Sequence, residues 1–146
     1  MLFRSVPSHA DAIANAALRF LAKHGDAADI ERVEARAALG IMDRSRPNAV
    51  DALGTIAGRL EKEPREKAVE FLVGLMDDPE ERTANTACAT LADLKAESAL
   101  PRLRAIADHD RDPARRERAA AWVKKATDGA PAAPEGGRRQ IGRAHV

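Results

Sequence analysis

The chain has 146 residues, room for one domain with a real core, and 45% of it is apolar, much of that alanine. Aromatics are only 3%, which suits closely packed helices and excludes a strand-rich sandwich built from β-branched and aromatic side chains. Charged residues make up 32% and balance to net +1, which argues against a dedicated nucleic-acid or membrane binder.

Residues 1–7 carry no helical stripe and form an N-terminal segment. The opening MLFRSVPSHA is too short and too polar for a signal peptide, and Met1 reads equally well as a start or as an internal methionine of a longer frame. Ser8 is placed to cap the first helix, with Ile13, Ala17, Phe20 and Leu21 as its apolar stripe. Gly25-Asp26 then breaks the chain, and Ile30, Val33 and Ala37 line a second helix. Pro47 opens a third with Val50, Leu53, Ile56, Ala57 and Leu60 along one side; Gly54 and Gly58 share a face suited to close helix contact. Pro64 opens a fourth, carrying Ala68, Val69, Leu72, Leu75 and Met76.

Asp78-Pro79-Glu80-Glu81 has the form of a helix start. The aspartate can accept from free backbone N–H groups, proline needs none at the first position, and the glutamates suit the positive end of the dipole. The spacing predicts a fifth helix from 79, with Ala84, Ala87, Cys88, Leu91 and Leu94 as its stripe. Ser98 can cap a sixth with Ala99, Leu100, Leu103, Ile106 and Ala107; Pro101 is tolerable because it falls in the first turn. Asp112-Pro113 repeats the start signal 34 residues after Asp78-Pro79. Its stripe is Ala119, Ala120, Val123 and Ala126, with Trp122 on the same side.

Helices of this length are marginal alone, so each must bury its stripe on neighbours. The pairs Leu18/Leu21, Leu53/Ile56 and Leu91/Leu94 recur after 35 and then 38 residues. A hairpin of helices at that period predicts an all-α, right-handed α-solenoid over residues 8–128, of about three hairpins plus a final helix. The competing arrangement is an irregular helical bundle. Residues 129–140, GAPAAPEGGRRQ, are read as a disordered Pro/Gly/Ala-rich tail. The last six residues, IGRAHV, are similar to the translation of a sequencing-adapter read-through, so 141–146 are expected to lie outside the natural chain.

The stretch from Pro64 to Lys125 resembles HEAT repeats, specifically the short bacterial HEAT-like kind. The likeness rests on LMDDPEERTANTACATLADLKAESALPRLRAIADHDRDPARRERAAAWVKK: Asp-Pro opening the inner helix, an arginine in its first turn (Arg82 and Arg116), and an outer helix of the form ALPxLxxIA from Ala99 to Ala107. The upstream half matches in helix spacing but lacks Asp-Pro. The resemblance implies a non-catalytic scaffold or interaction module, with Asp78, Arg82, Asp112 and Arg116 in structural roles between repeats. More narrowly, the order KHGDAADIERVEA, SRPNAVDALGTIA and FLVGLMDDPEERTANTACATLADLKAESALPRLRAIADHDRD is similar to helical repeats that close some bacterial M1-type zinc aminopeptidases. Those enzymes need an H-E-x-x-H helix, absent here, so no catalytic residue carries over.

Nothing in the chain assembles a reaction centre. His9, His24 and His109 share no i, i+4 spacing, so neither a metal nor another cofactor is implied. The single Cys88 sits in an alanine stripe as a small buried hydrophobe; one cysteine fits a reducing compartment and favours a cytoplasmic location. Charge is uneven: residues 61–81 hold eight acids against three bases, and 113–125 hold five bases against one acid. That basic patch is read as a solvated face rather than a nucleic-acid site, which would add aromatics or a long groove. The candidate partner-binding residues are Asn85, Asp93, Arg115 and Arg118 on the second helices of the repeats. The expected partner is a protein or other domains of a parent chain, with nucleic acid disfavoured and no membrane.

Overall fold

The structure, a computed structural model, describes residues 9–38, 40 and 44–128. The readings of residues 1–7, 129–140 and 141–146, and of the Ser8 cap, lie outside these. Among the described residues there are seven α-helices and no strand: α1 (His9–His24), α2 (Ile30–Ala37), α3 (Arg46–Arg59), α4 (Lys62–Gly74), α5 (Glu81–Asp93), α6 (Leu100–His109) and α7 (Pro113–Thr127). Short 3-10 turns at Ala27–Asp29 and Glu97–Ala99 lead into α2 and α6.

The helices form two layers. α1, α3, α5 and α7 lie side by side as a row, and α2, α4 and α6 cover one side of it, packed against the row rather than against each other. This is the all-α repeat solenoid that the stripes require, and the stripes explain it. Val33 and Ala37 on α2, Val50, Leu53, Ile56 and Ala57 on α3, Ala68 and Leu72 on α4, Ala87, Cys88 and Leu91 on α5, and Leu103 and Ile106 on α6 are buried in one continuous core. Small side chains let the row close up. A Cβ added to Gly54 of α3 would lie 2.0 Å from Thr90 Cγ2 of α5, so the backbones approach more closely there than any larger residue permits.

Helix starts differ from their sequence signals in three places, the first being α4, which begins at Lys62, two residues before Pro64. Asp112 caps α7 as expected, accepting from the Ala114 N–H at 3.0 Å. Its counterpart Asp78 accepts from the Glu80 N–H at 2.9 Å, but α5 begins only at Glu81, not at 79. The Asp78 carboxylate is drawn into the core by Arg46, so the chain bends at 79–80 before the helix starts. Ser98 does not cap α6. It lies inside the Glu97–Ala99 turn, which itself starts the helix, and Ala99 holds the cap position without a side-chain bond.

The apolar stripe of α1 also differs. Leu18 is buried against α3, whereas Ile13, Ala17 and Phe20 are exposed and Leu21 is half-buried. α1 has two apolar faces and packs on a single inner neighbour, so only one of them is covered. Ala120 of α7 is exposed too, for the same reason at the other end of the row.

Cations close the helix ends. Arg59 donates to the Ala22 carbonyl in the last turn of α1 at 2.5 Å and to the Gly25 carbonyl just after it at 2.7 Å. Arg65 of α4 donates to the Leu94 carbonyl at 2.9 Å, and Lys95 to the Asp128 carbonyl at 2.5 Å. Each places positive charge where a helix leaves its last carbonyls unpaired, at the negative end of its dipole.

Candidate protein-binding face

The exposed side of the inner row follows from which residues the stripes leave over. On α3 these are Asn48, Asp51, Thr55 and Arg59, spaced three or four apart. On α5 they are Arg82, Asn85, Thr86, Ala89 and Asp93, and on α7 they include Arg118, Ala121 and Lys125. Small side chains (Thr55, Gly58, Ala89 and Ala121) keep the middle low, with charged groups towards the helix ends.

Contacts between neighbouring inner helices hold this surface in place. Asn48 Nδ2 donates to Asn15 Oδ1 at 2.8 Å, linking α3 to α1. Arg118 Nη2 lies 3.6 Å from Glu81 Oε1, and Lys125 pairs with Asp93, linking α7 to α5. These pairs are exposed, so each contributes at most about 1 kcal/mol; their effect is to fix the spacing of charges.

Three of the four candidate contact residues, Asn85, Asp93 and Arg118, fall on this exposed side. Asn85 is half-buried, and its Oδ1 has no hydrogen-bond partner among the described residues. Arg115 lies elsewhere. It is half-buried at the start of α7, pairs with Asp110 at 2.9 Å and donates to the Met76 carbonyl at 3.1 Å, tying α7 to the turn after α4. One turn from the helix start, its long side chain meets that carbonyl before it meets solvent.

Of the four residues expected to act between repeats, Asp78 reaches across, bonding Arg46. Asp112 caps its own helix, and Arg116 donates to the Asp110 carbonyl at 2.7 Å, within its own loop. Arg82 is exposed and makes no side-chain ion pair among the described residues, because the first turn of α5 points it to solvent. Sequence reasoning missed Arg46, the buried arginine of the set, although a basic residue directly before Pro47 at a helix start was visible.

The basic helix α7 is compensated from within. Arg115 meets Asp110, Arg118 lies near both Glu81 and Asp112, and Lys125 meets Asp93. Cys88 is fully buried between α5 and its neighbours, and burial pushes its thiol up to about 11 despite the nearby Arg115 charge. A thiol so placed is not a nucleophile at neutral pH. Among the described residues no group of His, Cys, Asp or Glu is arranged to hold a metal ion, and no helix is long and apolar enough to cross a membrane.

The profile for HEAT repeats matches residues 43–123, more than half of the chain and the whole stretch from α3 into α7. The chain belongs to the HEAT-repeat family. The two layers, the inner row and the Asp-Pro pairs that precede α5 and open α7 are this chain's version of the repeat. Searches of curated proteins and of solved structures found no match, and the narrower likeness to aminopeptidase closing repeats gains no support from them.

Proposed function

We propose that this HEAT-repeat chain is a non-catalytic scaffold that binds a protein, or another domain of a parent chain, on the exposed side of α3, α5 and α7. The observation that carries this reading is the surface itself. Asp51, Thr55, Asn85, Asp93 and Arg118 lie on adjacent parallel rows, fixed by the Asn48–Asn15, Arg118–Glu81 and Lys125–Asp93 contacts. A rigid, low, mixed-charge surface gives a partner polar contacts in a defined pattern without ordering cost on the scaffold side. The internal pairing of α7's cations weighs against nucleic acid, which would need several of them free for phosphates. The resemblance to M1-type closing repeats would make the partner a catalytic domain, and it rests on sequence order alone.

The test is site-specific photo-crosslinking in cells. A crosslinker at Asn85 or Thr55 should capture a discrete protein, and one at Arg104 on the opposite layer should not. Joint charge reversal, Asp93→Lys with Arg118→Glu, should abolish that capture while leaving the helical signal intact. Equal capture from both layers, or none from Asn85 and Thr55, would remove the proposal.

A further inference from the structure

A groove of about 280 Å³ opens between α1 and α3, beside the exposed Asn48 and Asp51 of the proposed binding face. Leu18 and Ala52, both buried, form its floor. Arg19 stands on the α1 wall and Asp51 on the α3 wall, both exposed. The hydrogen-bonded pair of Asn48 and Asn15 also lines it. Sites for small molecules run from roughly 300 to 1,000 Å³, so this groove has room for a side chain or two rather than for a whole ligand.

Its charges differ from those further along the row. Between α5 and α7 the facing charges meet: Lys125 pairs with Asp93, and Arg118 lies 3.6 Å from Glu81. Between α1 and α3 they do not. Among the described residues neither the Arg19 guanidinium nor the Asp51 carboxylate has an ion pair or a side-chain hydrogen bond. The amide pair is open as well. Asn48 Nδ2 donates to Asn15 Oδ1, which leaves Asn48 Oδ1 to accept and Asn15 Nδ2 to donate. One donor and one acceptor on a bonded pair match a peptide unit, whose C=O and N–H need one of each.

We propose that the groove between α1 and α3 seats an extended segment of the protein partner, in which an apolar side chain is accompanied by one acid and one base. This rests on the reading of this side of the row as a protein-binding face, and adds what the partner must carry. The apolar side chain covers Leu18 and Ala52, the acid meets Arg19, the base meets Asp51, and the main chain meets the Asn15–Asn48 pair. Along α3 the space runs from Asn48, bonded to Asn15, towards Arg59, bonded to the Ala22 carbonyl. That is about 16 Å at 1.5 Å per helical residue, the length of about five extended residues. Opposite charges on facing walls also select. A segment that set an acid on Asp51 or a base on Arg19 would bring like charges together. A nucleic acid, with phosphates alone, would leave Asp51 facing an anion.

Panning random heptapeptides displayed on phage against the whole chain tests this. The enriched peptides should share an apolar residue with one acid and one base beside it. Panned against Arg19→Glu they should exchange the acid for a base, and against Asp51→Lys the base for an acid. A synthetic peptide selected on the wild-type chain should bind either variant at least about tenfold more weakly by fluorescence anisotropy, and Arg104→Glu on the other layer should change nothing. Arg19 and Asp51 are exposed, so both variants should keep their helical signal. Peptides that follow no such charge rule, or that bind both variants as well as the wild type, overturn the proposal. Peptides lost with Asp93→Lys and Arg118→Glu but not with Asp51→Lys overturn the groove and uphold the face. No enrichment overturns the groove alone if a crosslinker at Asn85 still captures a protein, and the face with it if that capture fails too.

Discussion

Arg46 and Asp78, 32 residues apart, meet through two charge-assisted hydrogen bonds, Nη2 to Oδ2 at 2.5 Å and Nη1 to Oδ1 at 3.1 Å. The same guanidinium donates twice to the Ala37 carbonyl, from Nε at 3.3 Å and Nη2 at 3.2 Å, and lies 3.3 Å from Glu80 Oε2. One side chain thus joins the end of α2, the start of α3 and the bend before α5. Both partners are buried, at 6% and 1% side-chain exposure. Removing one strands the other charge, so Arg46→Ala should cost roughly 3–5 kcal/mol of folding stability. Arg46→Met combined with Asp78→Asn should cost less, because the amide strands no charge. Urea unfolding measures both; a double variant no better than Arg46→Ala would mean that lost packing, not the stranded carboxylate, sets the cost.

The same pair makes stability depend on pH in a definite direction. Burial pushes the Asp78 carboxyl up, but the Arg46 hydrogen bonds, the Glu80 N–H and the Arg46 charge outweigh it and hold it below its usual value. A carboxylate that is more acidic folded than unfolded stabilises the fold fully above its unfolded pKa, about 3.9. That contribution is lost as pH falls through the folded value. The stability difference between the wild-type chain and Asp78→Asn should therefore be level at neutral pH and shrink below about pH 4. A difference that shrinks instead on the alkaline side would contradict the assignment.

Local signals made the helices legible, and long-range contacts set what was not. Asp112-Pro113 marks its helix start because cap and helix are adjacent in sequence. Asp78-Pro79 carries the same signal, yet α5 starts later because Arg46 claims the aspartate, and that claim exists only once the repeats have stacked. Ile13 and Phe20 have core spacing, but periodicity counts apolar faces without saying how many neighbours a helix has. Asn85, Asp93 and Arg118 came out on the exposed side because the inward stripe of their helices was readable. Arg115 did not, since its partner, the Met76 carbonyl, carries no side-chain signature.

Lys95 holds a conformation that suits glycine better. It follows α5 at φ 53, with its N–H bonded to the Ala92 carbonyl and the Ala96 N–H to the Leu91 carbonyl. This is the six-to-one and five-to-two pairing that ends many helices, normally on glycine because a Cβ is strained in the left-handed region. Lys95→Gly should raise stability by about 0.5–1 kcal/mol, since the lost exposed bond to Asp128 is worth less than the strain relieved. Thermal unfolding checks this, and a lower midpoint would show that the Asp128 contact outweighs the backbone.

Gly54 sets the spacing of α3 and α5, and its substitution separates helix propensity from packing. Alanine is better than glycine inside a helix by about 1 kcal/mol, which alone would stabilise Gly54→Ala. The new Cβ, however, would lie 2.0 Å from Thr90 Cγ2, a distance that real contacts do not reach. Overpacking of this kind costs about 1–3 kcal/mol, so the net change should be destabilising. Thr90→Ser removes the clashing methyl and leaves Thr90 Cβ, 3.4 Å away, as the nearest former neighbour. Alone it should cost about 0.8 kcal/mol for one buried methyl. Combined with Gly54→Ala it should be no less stable than Thr90→Ser alone, because the alanine then fills the space and keeps its propensity gain. The coupling in this double-mutant cycle should be favourable by 0.5 kcal/mol or more, on the order found for residues in contact. Additive losses would mean that the two helices shift apart instead, and that the close approach at Gly54 is not what positions the rows of the proposed binding face.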